Sequence, residues 1–391
     1  MKDVVIVSAA RTAIGEFGGA LKNVGPLALA ERVIGEVVQR AKVQTDWIGK
    51  VIFGNNMCPL EQNIARLAAY RAGIPEEAPA FTINSTCGSS IQAVISAVQA
   101  VQCGEADVIL AGGVESMSNA PYLMQTARWG QRLKNLEALD MVWDGMQSPS
   151  IGVGMGLTAE NIAEKYIISR EDQDAFALLS HQRAARAIEE AKFQSEIVAV
   201  AVPQRKKDPL MFDMDEHVRP DLTMDQLAKL KPAFKENGTV TAGNACGIND
   251  GAAATIVASR EKALELGLKP LALIRGYDVC GVDPNFMGIG PVPAIRNVLK
   301  KTGLALGDID RFEINEAFAA QYLYCERELR LDREKVNVYG NGIALGHPVG
   351  ATGCRLLTTL LYGMMEDDLN LGIYSLCAGG GMGFAVVLER I

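Results

Sequence analysis

Histidine is nearly absent: the 391-residue chain has three, His181, His217 and His347. Chemistry that needs an imidazole at neutral pH therefore rests on one of three positions. No apolar run approaches the ~20 residues that a membrane-spanning helix needs. The eight cysteines, Cys58, Cys87, Cys103, Cys246, Cys280, Cys325, Cys354 and Cys377, include no C-x-x-C pair and no regular spacing. That argues against a disulfide framework, and it leaves a metal site without its ligand spacings. The opening MKDVVIVSAARTAIG lacks the long apolar stretch and cleavage site of a signal peptide. A cytoplasmic location is expected, or an organelle if a transit peptide has been removed. Residues 3–10 read instead as a buried first strand. Positive charge is not in excess, since the net charge is −8. That argues against nucleic acid as the main partner, but an anionic small substrate needs only a local basic patch.

What is present is the profile of a soluble globular protein, with 49% apolar and 21% charged residues. The length suits two or three domains. Strand-like and helix-like segments alternate at both ends, which favours an α/β layered fold. VVIVSAA is followed by a helical pattern at 26–41, KVIFGNN, a helix at 62–72 and a short strand at Ala80–Ile83. An apolar helix from about Cys87 to Cys103 comes next, then DVILAGG. The last third repeats the order. LALIRGYDVC is a strand, 291–302 a helix, RFEINEA a strand and 317–330 a helix. KVNVYGN reads as a strand, about 350–365 as a helix, and LGIYSLCAGGGMGFAVVLER as a closing hairpin. The repetition predicts an internal duplication, with two similar sheets packed together. Residues 119–249 differ in composition and read as an inserted or cap region that shapes a substrate site. In SIQAVISAVQAV and LLTTLLYGMM the apolar residues cover nearly every face. Two helices buried all round, one per half, are therefore expected to form a central layer with their N-termini in the interior.

Four motifs carry chemistry. In NSTCGSS, Cys87 stands at the start of the first buried helix, where the positive end of the dipole favours thiolate. A small buried hydrophobe is the plainer reading of a lone cysteine. In GHPVG, His347 lies between glycines ahead of the second buried helix, at a place related to that of Cys87 by the duplication. A Cys/His pair generates a thiolate nucleophile; a histidine satisfied in a turn is the alternative. CAGGGMG, from Cys377, is followed by a strand rather than a helix with Lys-Ser/Thr. It reads as a tight turn with exposed backbone N–H groups, able to hold an oxyanion, and Cys377 is a second candidate thiol. In NEAFAAQ, at a strand-to-helix junction, Asn315 can hold a water or an oxyanion. Glu316 is either a general base or a first-turn helix charge.

Together these motifs resemble the thiolase family, and the likeness runs from the first strand to the last residue. SAARTAIGEFGG, GGVESMSNAP, GTVTAGNACGINDGAAA and MGIGPVPA look like further thiolase segments. The resemblance implies an α/β fold of five layers, αβαβα, made of two duplicated halves plus an inserted loop domain. The expected divisions are 1–118 for the first half and 119–249 for the substrate and coenzyme A region. Residues 250–270 return to the first half, and 271–391 form the second. A homo-oligomer, dimer or tetramer, is implied. Coenzyme A is implied as a co-substrate rather than a permanently bound cofactor, with no metal, nucleic acid or membrane. The implied reaction is reversible CoA-dependent cleavage of a short to medium 3-oxoacyl-CoA to acetyl-CoA and a shortened acyl-CoA. It would run by a ping-pong mechanism through acyl-Cys87, and its reverse is a Claisen condensation.

By the same resemblance, Cys87 would be acylated, and His347 would activate it and help hold the thioester oxygen. Cys377 would move the proton at the substrate α-carbon. Asn315 would position a water in one oxyanion hole. The backbone N–H groups of Cys87 and Gly379 would form the other, and Glu316 would support the network. Arg219 matches a position that binds the nucleotide end of coenzyme A. Met155, Met287 and Phe318 would line the channel, unless they only pack the core. Two departures stand out. Many acetoacetyl-CoA-specific relatives have His before the Met-Gly of MGLTAEN, where this chain has Gly154. Cys246 stands where relatives usually carry a Ser that bonds the pantetheine, and a thiol is a weaker donor. Two other functions compete: a ketoacyl synthase, which uses His or Asn where this chain has Cys377, and a catalytically idle acyl-CoA-binding subunit.

Overall fold

The computed structural model describes residues 2–147 and 152–391. The first half contributes β1 (Val4–Thr12), α1 (Pro26–Ala41), β2 (Lys50–Gly54), α2 (Ile64–Arg71), β3 (Ala80–Ile83), α3 (Ser89–Gln102) and β4 (Val108–Ser116). It is completed, after a long insertion, by β5 (Asn249–Ser259). The second half contributes β6 (Ala272–Gly281), α4 (Pro291–Thr302), β7 (Arg311–Ile314), α5 (Ala319–Leu329), α6 (Thr352–Glu366), β8 (Leu371–Ala378) and β9 (Met382–Arg390). Local sequence explains these elements. The run VVIVSAART, rich in β-branched residues, is buried along its whole length as β1. Pro26 opens α1, and Leu29, Ala30, Val33, Ile34 and Val37 form its buried stripe.

The duplication is visible in the strand pairing. In the first half the order is β3-β2-β4-β5-β1, with two parallel pairs followed by two antiparallel ones. In the second half β7-β8 is parallel, and β8-β9 and β9-β6 are antiparallel. The expected strand at KVNVYGN is reduced to a single parallel bridge between Val336 and Phe312. The cause lies one residue on. The Asn337 side chain accepts from Ile314 N–H and donates to Ile314 C=O, both at 2.8 Å, so an amide takes the place of a neighbouring strand. Asn337 itself has φ +49°, which turns the chain away.

Three apolar clusters define the layers. One joins α1 and α2 to one face of the first half-sheet. Another joins α4 and α5 to the far face of the second. Between them α3 and α6 fill the space enclosed by both half-sheets, giving the order αβαβα. The sequence predicts two similar sheets packed together. The half-sheets do pack on one central layer, and they also share an edge, where β1 and β6 pair antiparallel through Val5–Leu273 and Ile6–Ala272. Both are the terminal strands of their halves, so pairing them satisfies backbone groups that would otherwise be exposed edges.

The helices of the central layer meet at their N-terminal ends. Ser90 Oγ accepts from Cys354 N–H at 3.0 Å. A Cβ on Gly353 would lie 2.5 Å from Ile91 N, so only glycine allows the contact. The insertion adds the helices Met155–Tyr166 and Arg170–Glu189 and the hairpin Val200–Gln204/Lys207–Phe212. Among the described residues no helix is long and apolar enough to cross a membrane. Because Leu360 of α6 is fully buried between the half-sheets, Leu360→Ala should lower stability by about 2–5 kcal/mol. Urea unfolding checks this, and a loss below about 1 kcal/mol would mean that α6 can relax towards solvent.

Candidate active site

Cys87 lies two residues ahead of α3, whose first helical residue is Ser89 and whose cap is Gly88. A strained turn places it there. Thr86 has φ +51°, a left-handed conformation that β-branched residues rarely adopt. Ser89 Oγ holds this turn by accepting from Ser85 N–H at 2.9 Å and donating to Thr86 C=O at 2.6 Å. Thr86 Oγ1 shares its proton between Ser85 C=O at 2.7 Å and Gly379 C=O at 3.1 Å, the second tying the Cys87 turn to the glycine turn of the other half. The helix start was expected to favour thiolate. Burial outweighs it and pushes the Cys87 thiol up to about 11, against backbone N–H groups of Gly379 and of Cys87 itself that favour the anion. These are the two N–H groups that the family resemblance pairs as an oxyanion hole.

Cys377 is the next-to-last residue of β8 and is buried. Burial raises its thiol far above the ordinary range, and the neighbouring thiols of Cys87, Cys325 and Cys246 add to the effect. The charge of Cys87, in one half, thus acts on Cys377 in the other. Gly380 and Gly381, at φ +88° and +83°, form the tight turn into β9.

His347 is buried, and only one of its ring nitrogens is free to act. Thr352 Oγ1 donates its proton to Pro348 C=O at 2.9 Å. At 2.6 Å from His347 Nδ1 the same oxygen is then placed to accept, an assignment that puts the proton on Nδ1 and leaves a lone pair on Nε2. Asn315 Nδ2 stands 3.5 Å from that Nε2. Burial, followed by the charge of Arg355, lowers the imidazole to about 3, so it is neutral at physiological pH. Its loop is fixed by His347 N–H donating to Asn249 Oδ1 at 3.0 Å.

Asn315 is fully buried, and its Oδ1 has no protein partner. Such an acceptor suits a small polar group brought in from outside. Glu316 is differently placed. Its carboxylate accepts from Ser180 Oγ at 2.6 Å, Asn337 Nδ2 at 2.9 Å and Ile343 N–H at 3.3 Å. Both oxygens are engaged, so it braces the Asn315 turn against the insertion. Burial raises its pKa despite these bonds.

Met155, Met287, Phe318 and Cys377 belong to one apolar cluster with Ala245 and Phe234. A Cβ on Gly379 would lie 3.2 Å from Met155 Sδ. Ala245 bridges Phe318, and Cys246 N–H donates to Ala317 C=O at 3.0 Å. Burial, with the charge of Cys87 next, pushes the Cys246 thiol up to about 12. Beside this segment a cleft of about 470 Å³ is lined by Arg219, His181, His217, Leu230, Ala245 and Ile343, among others. Neither Cys87 nor Cys377 lines it. Arg219 is largely exposed, 3.6 Å from Glu16, and His181 Nδ1 accepts its backbone N–H at 3.1 Å. Sequence reasoning missed Thr352, Asn249, Ser180 and Asn337. Their hydroxyls and amides carry no signal until folding supplies a partner. Among the described residues no group of three His, Cys, Asp or Glu side chains is arranged to hold a metal ion.

The family pattern described as "Thiolase, N-terminal domain" matches residues 4–261, and "Thiolase, C-terminal domain" matches residues 268–390. An acetyl-CoA acetyltransferase of Chromobacterium violaceum is 51% identical over 390 residues, covering 99% of this chain and 100% of the relative. A probable acetyl-CoA acyltransferase of Staphylococcus aureus is 48% identical over 392 residues and covers both chains fully. The crystal structure of the Bacillus anthracis acetyl-CoA acetyltransferase superposes with a TM-score of 0.98 at 50% identity, covering 100% of this chain and 99% of that one. Human mitochondrial 3-ketoacyl-CoA thiolase in complex with CoA gives 0.96 at 42% identity, covering 100% and 98%. With both family patterns matched and relatives aligned end to end, the chain belongs to the thiolase family.

Proposed function

We propose that this thiolase cleaves 3-oxoacyl-CoA reversibly to acetyl-CoA and a shortened acyl-CoA through an acyl group carried on Cys87. The observation that supports this most is the Cys87 thiol, close enough to act on Cys377 of the other half and packed in one cluster with Val349, two residues after the neutral imidazole of His347. Cys377 is buried and Cys87 half-buried, and desolvation raises both thiols, so the proton must leave as the sulfur attacks. His347 Nε2 takes the proton of Cys87 while Sγ bonds to the 3-keto carbon. The oxyanion formed there is held by the N–H groups of Cys87 and Gly379, while Nε2–H of His347 and a water positioned by Asn315 hold the thioester oxygen of the substrate. The Cα–Cβ bond breaks with its electrons moving to Cα, and Cys377 gives that carbon a proton. Acetyl-CoA leaves. The Cys377 thiolate then takes the proton of free CoA, whose sulfur attacks the thioester, and the N–H groups of Cys87 and Gly379 hold the oxyanion. Expulsion of Cys87 sulfur, which recovers its proton from His347, completes a ping-pong cycle.

Coenzyme A is the co-substrate and occupies the cleft from Arg219 to Ala245, with Arg219 at its nucleotide end. Met155, Met287 and Phe318 wall the acyl end. Gly154 stands where short-chain enzymes place an imidazole, and only the flexible end of Gln147 occupies that place, so chains beyond four carbons are accepted. Cys246 replaces a hydroxyl donor to the pantetheine and weakens that hold. The functional divisions fall at 118/119, 249/250 and 270/271. The working form is a cytoplasmic dimer or tetramer.

Cys87→Ser should abolish thiolysis, and acetyl-CoA should acylate Cys87 in the wild type, read by intact-protein mass spectrometry. Normal turnover in the variant would sink the mechanism. Thr352→Val removes the acceptor of His347 Nδ1–H. A kcat roughly ten-fold lower with unchanged KM for CoA is expected, part of what a positioned base supplies. An unchanged kcat would remove the tautomer argument. For chain length, kcat/KM should stay level or rise across 3-oxoacyl-CoAs longer than four carbons. A steep fall after four carbons would refute the role given to Gly154.

A further inference from the structure

A carboxylate that the mechanism does not use is buried behind the site. Glu115, near the end of β4, is fully buried and faces a ring of donors. Its Oε1 accepts from Met57 N–H at 3.0 Å, Asn55 Nδ2 at 3.1 Å and, weakly, Cys58 Sγ at 3.6 Å. Its Oε2 accepts from Gly350 N–H at 3.0 Å and Asn56 N–H at 3.1 Å. Each side leads to one of the proposed catalytic groups. Gly350 lies three residues after His347 in the same buried loop. The 55–57 segment holds the approach to Cys87: Asn55 N–H donates to Ile83 C=O at 3.0 Å, and Asn84 Nδ2 donates to Asn56 C=O at 3.3 Å. Met57 and Val349 pack in one apolar cluster against Cys87 itself.

Glycines allow the approach. A Cβ on Gly54 would lie 2.5 Å from Ser90 N and 2.8 Å from Gly350 O. One on Gly350 would lie 2.8 Å from Glu115 Oε2, and one on Gly113 would overlap Gly350 O. The duplication adds an independent sign. β2 and β4 pair Gly54 with Gly113, while β7 and β8 pair Ile314 with Ser375. One residue beyond the first member of each pair stand Asn55 and Asn315. Two residues beyond the second stand Glu115 and Cys377. The same place in the two halves thus carries a reactive thiol in one and a hydrogen-bonded carboxylate in the other.

We infer that Glu115 is a positioning residue for thiolysis, a clamp that fixes the Cys87 turn relative to the His347 loop. It touches no substrate and acts through Gly350 on one side and Asn55–Met57 on the other. The ionisable side chains it faces are thiols, Cys58 by contact and Cys87 by charge. On β5, Asp250 is held by Ser118 N–H and Ser116 Oγ, and on the loop ahead of α6 the imidazole of His347 is neutral. Burial pushes Glu115 up to about 7, against its backbone donors, and its negative charge raises the Cys87 thiol.

The inference rests on Cys87 as nucleophile. Turnover by Cys87→Ser would defeat that reading by itself, whereas the clamp is tested in an enzyme with Cys87 intact. Glu115→Gln keeps the shape but removes the charge and turns a donor towards N–H groups. Two opposite effects are expected. The kcat for thiolysis should fall at least roughly ten-fold with KM for CoA unchanged, as misalignment of reacting groups predicts. The pH midpoint for alkylation of Cys87 by iodoacetamide should move down, because a negative neighbour has gone. A loss of packing alone would lower the melting temperature without moving that midpoint. A kcat within about two-fold of wild type, a fall carried by KM, or an unmoved midpoint would overturn the clamp. If Glu115→Gln does not fold, Asn55→Ala removes one donor and keeps the charge. It should lower kcat roughly three-fold with the alkylation midpoint in place, and a wild-type kcat there would overturn it.

Discussion

The packing of α3 against α6 constrains everything else. Neither helix has a polar face, so neither can lie on a surface. Two half-sheets must enclose them, and the duplicated topology supplies one from each half. The N-terminal ends of both helices are then interior, where Ser90 and Gly353 bring them into contact. The turns that enter these helices must be interior as well, and they carry Cys87 and His347. The depth of the site is thus a consequence of how the two halves share one central layer.

Depth has an electrostatic cost for a thiol enzyme. A cysteine near a helix start is often a ready thiolate. Here burial wins, and the thiols of Cys87, Cys246 and Cys377 are all raised. A resting thiolate would also meet the charge of a second thiolate nearby. The arrangement suits proton transfer coupled to attack, with an imidazole kept neutral by burial and by the Arg355 charge. It also keeps the sulfur protonated, and so less open to oxidation, until a substrate arrives.

Much of this was legible in the residues. Cys87, His347, Asn315 and Cys377 each sit at a strand end or helix start marked by Gly, Pro or a polar cluster, and such places leave a signal in one dimension. The all-round apolar helices and the repeated element order predicted the central layer. The shared edge at β1 and β6 was not legible, because each strand alone reads as buried whatever lies beside it. The KVNVYGN segment alternates as a strand should, yet Asn337 takes the backbone groups of Ile314 with its side chain. Glu115, within GGVESMSNAP, shows no role in the sequence. A lone glutamate in an apolar strand has no partner to name until Gly350 arrives from a point 235 residues away.

The insertion raises a last question: how a mixed-charge segment is held firmly enough to shape a coenzyme A cleft. Arg11 answers it from inside β1. Its guanidinium is fully buried and pairs with Glu196 at 2.7 Å and Asp215 at 2.7 Å. Burial works against that charge, but the two carboxylates more than offset it. Next in the chain, Glu216 accepts from Glu16 N–H at 2.9 Å, and His217 and Arg219 then line the cleft. A buried ion cluster is weak evidence for net stability, yet removing one member strands the others without water. That asymmetry makes it a latch that binds the insertion to the first half in one register. The cleft walls therefore inherit their position from β1, the same strand that joins the two halves.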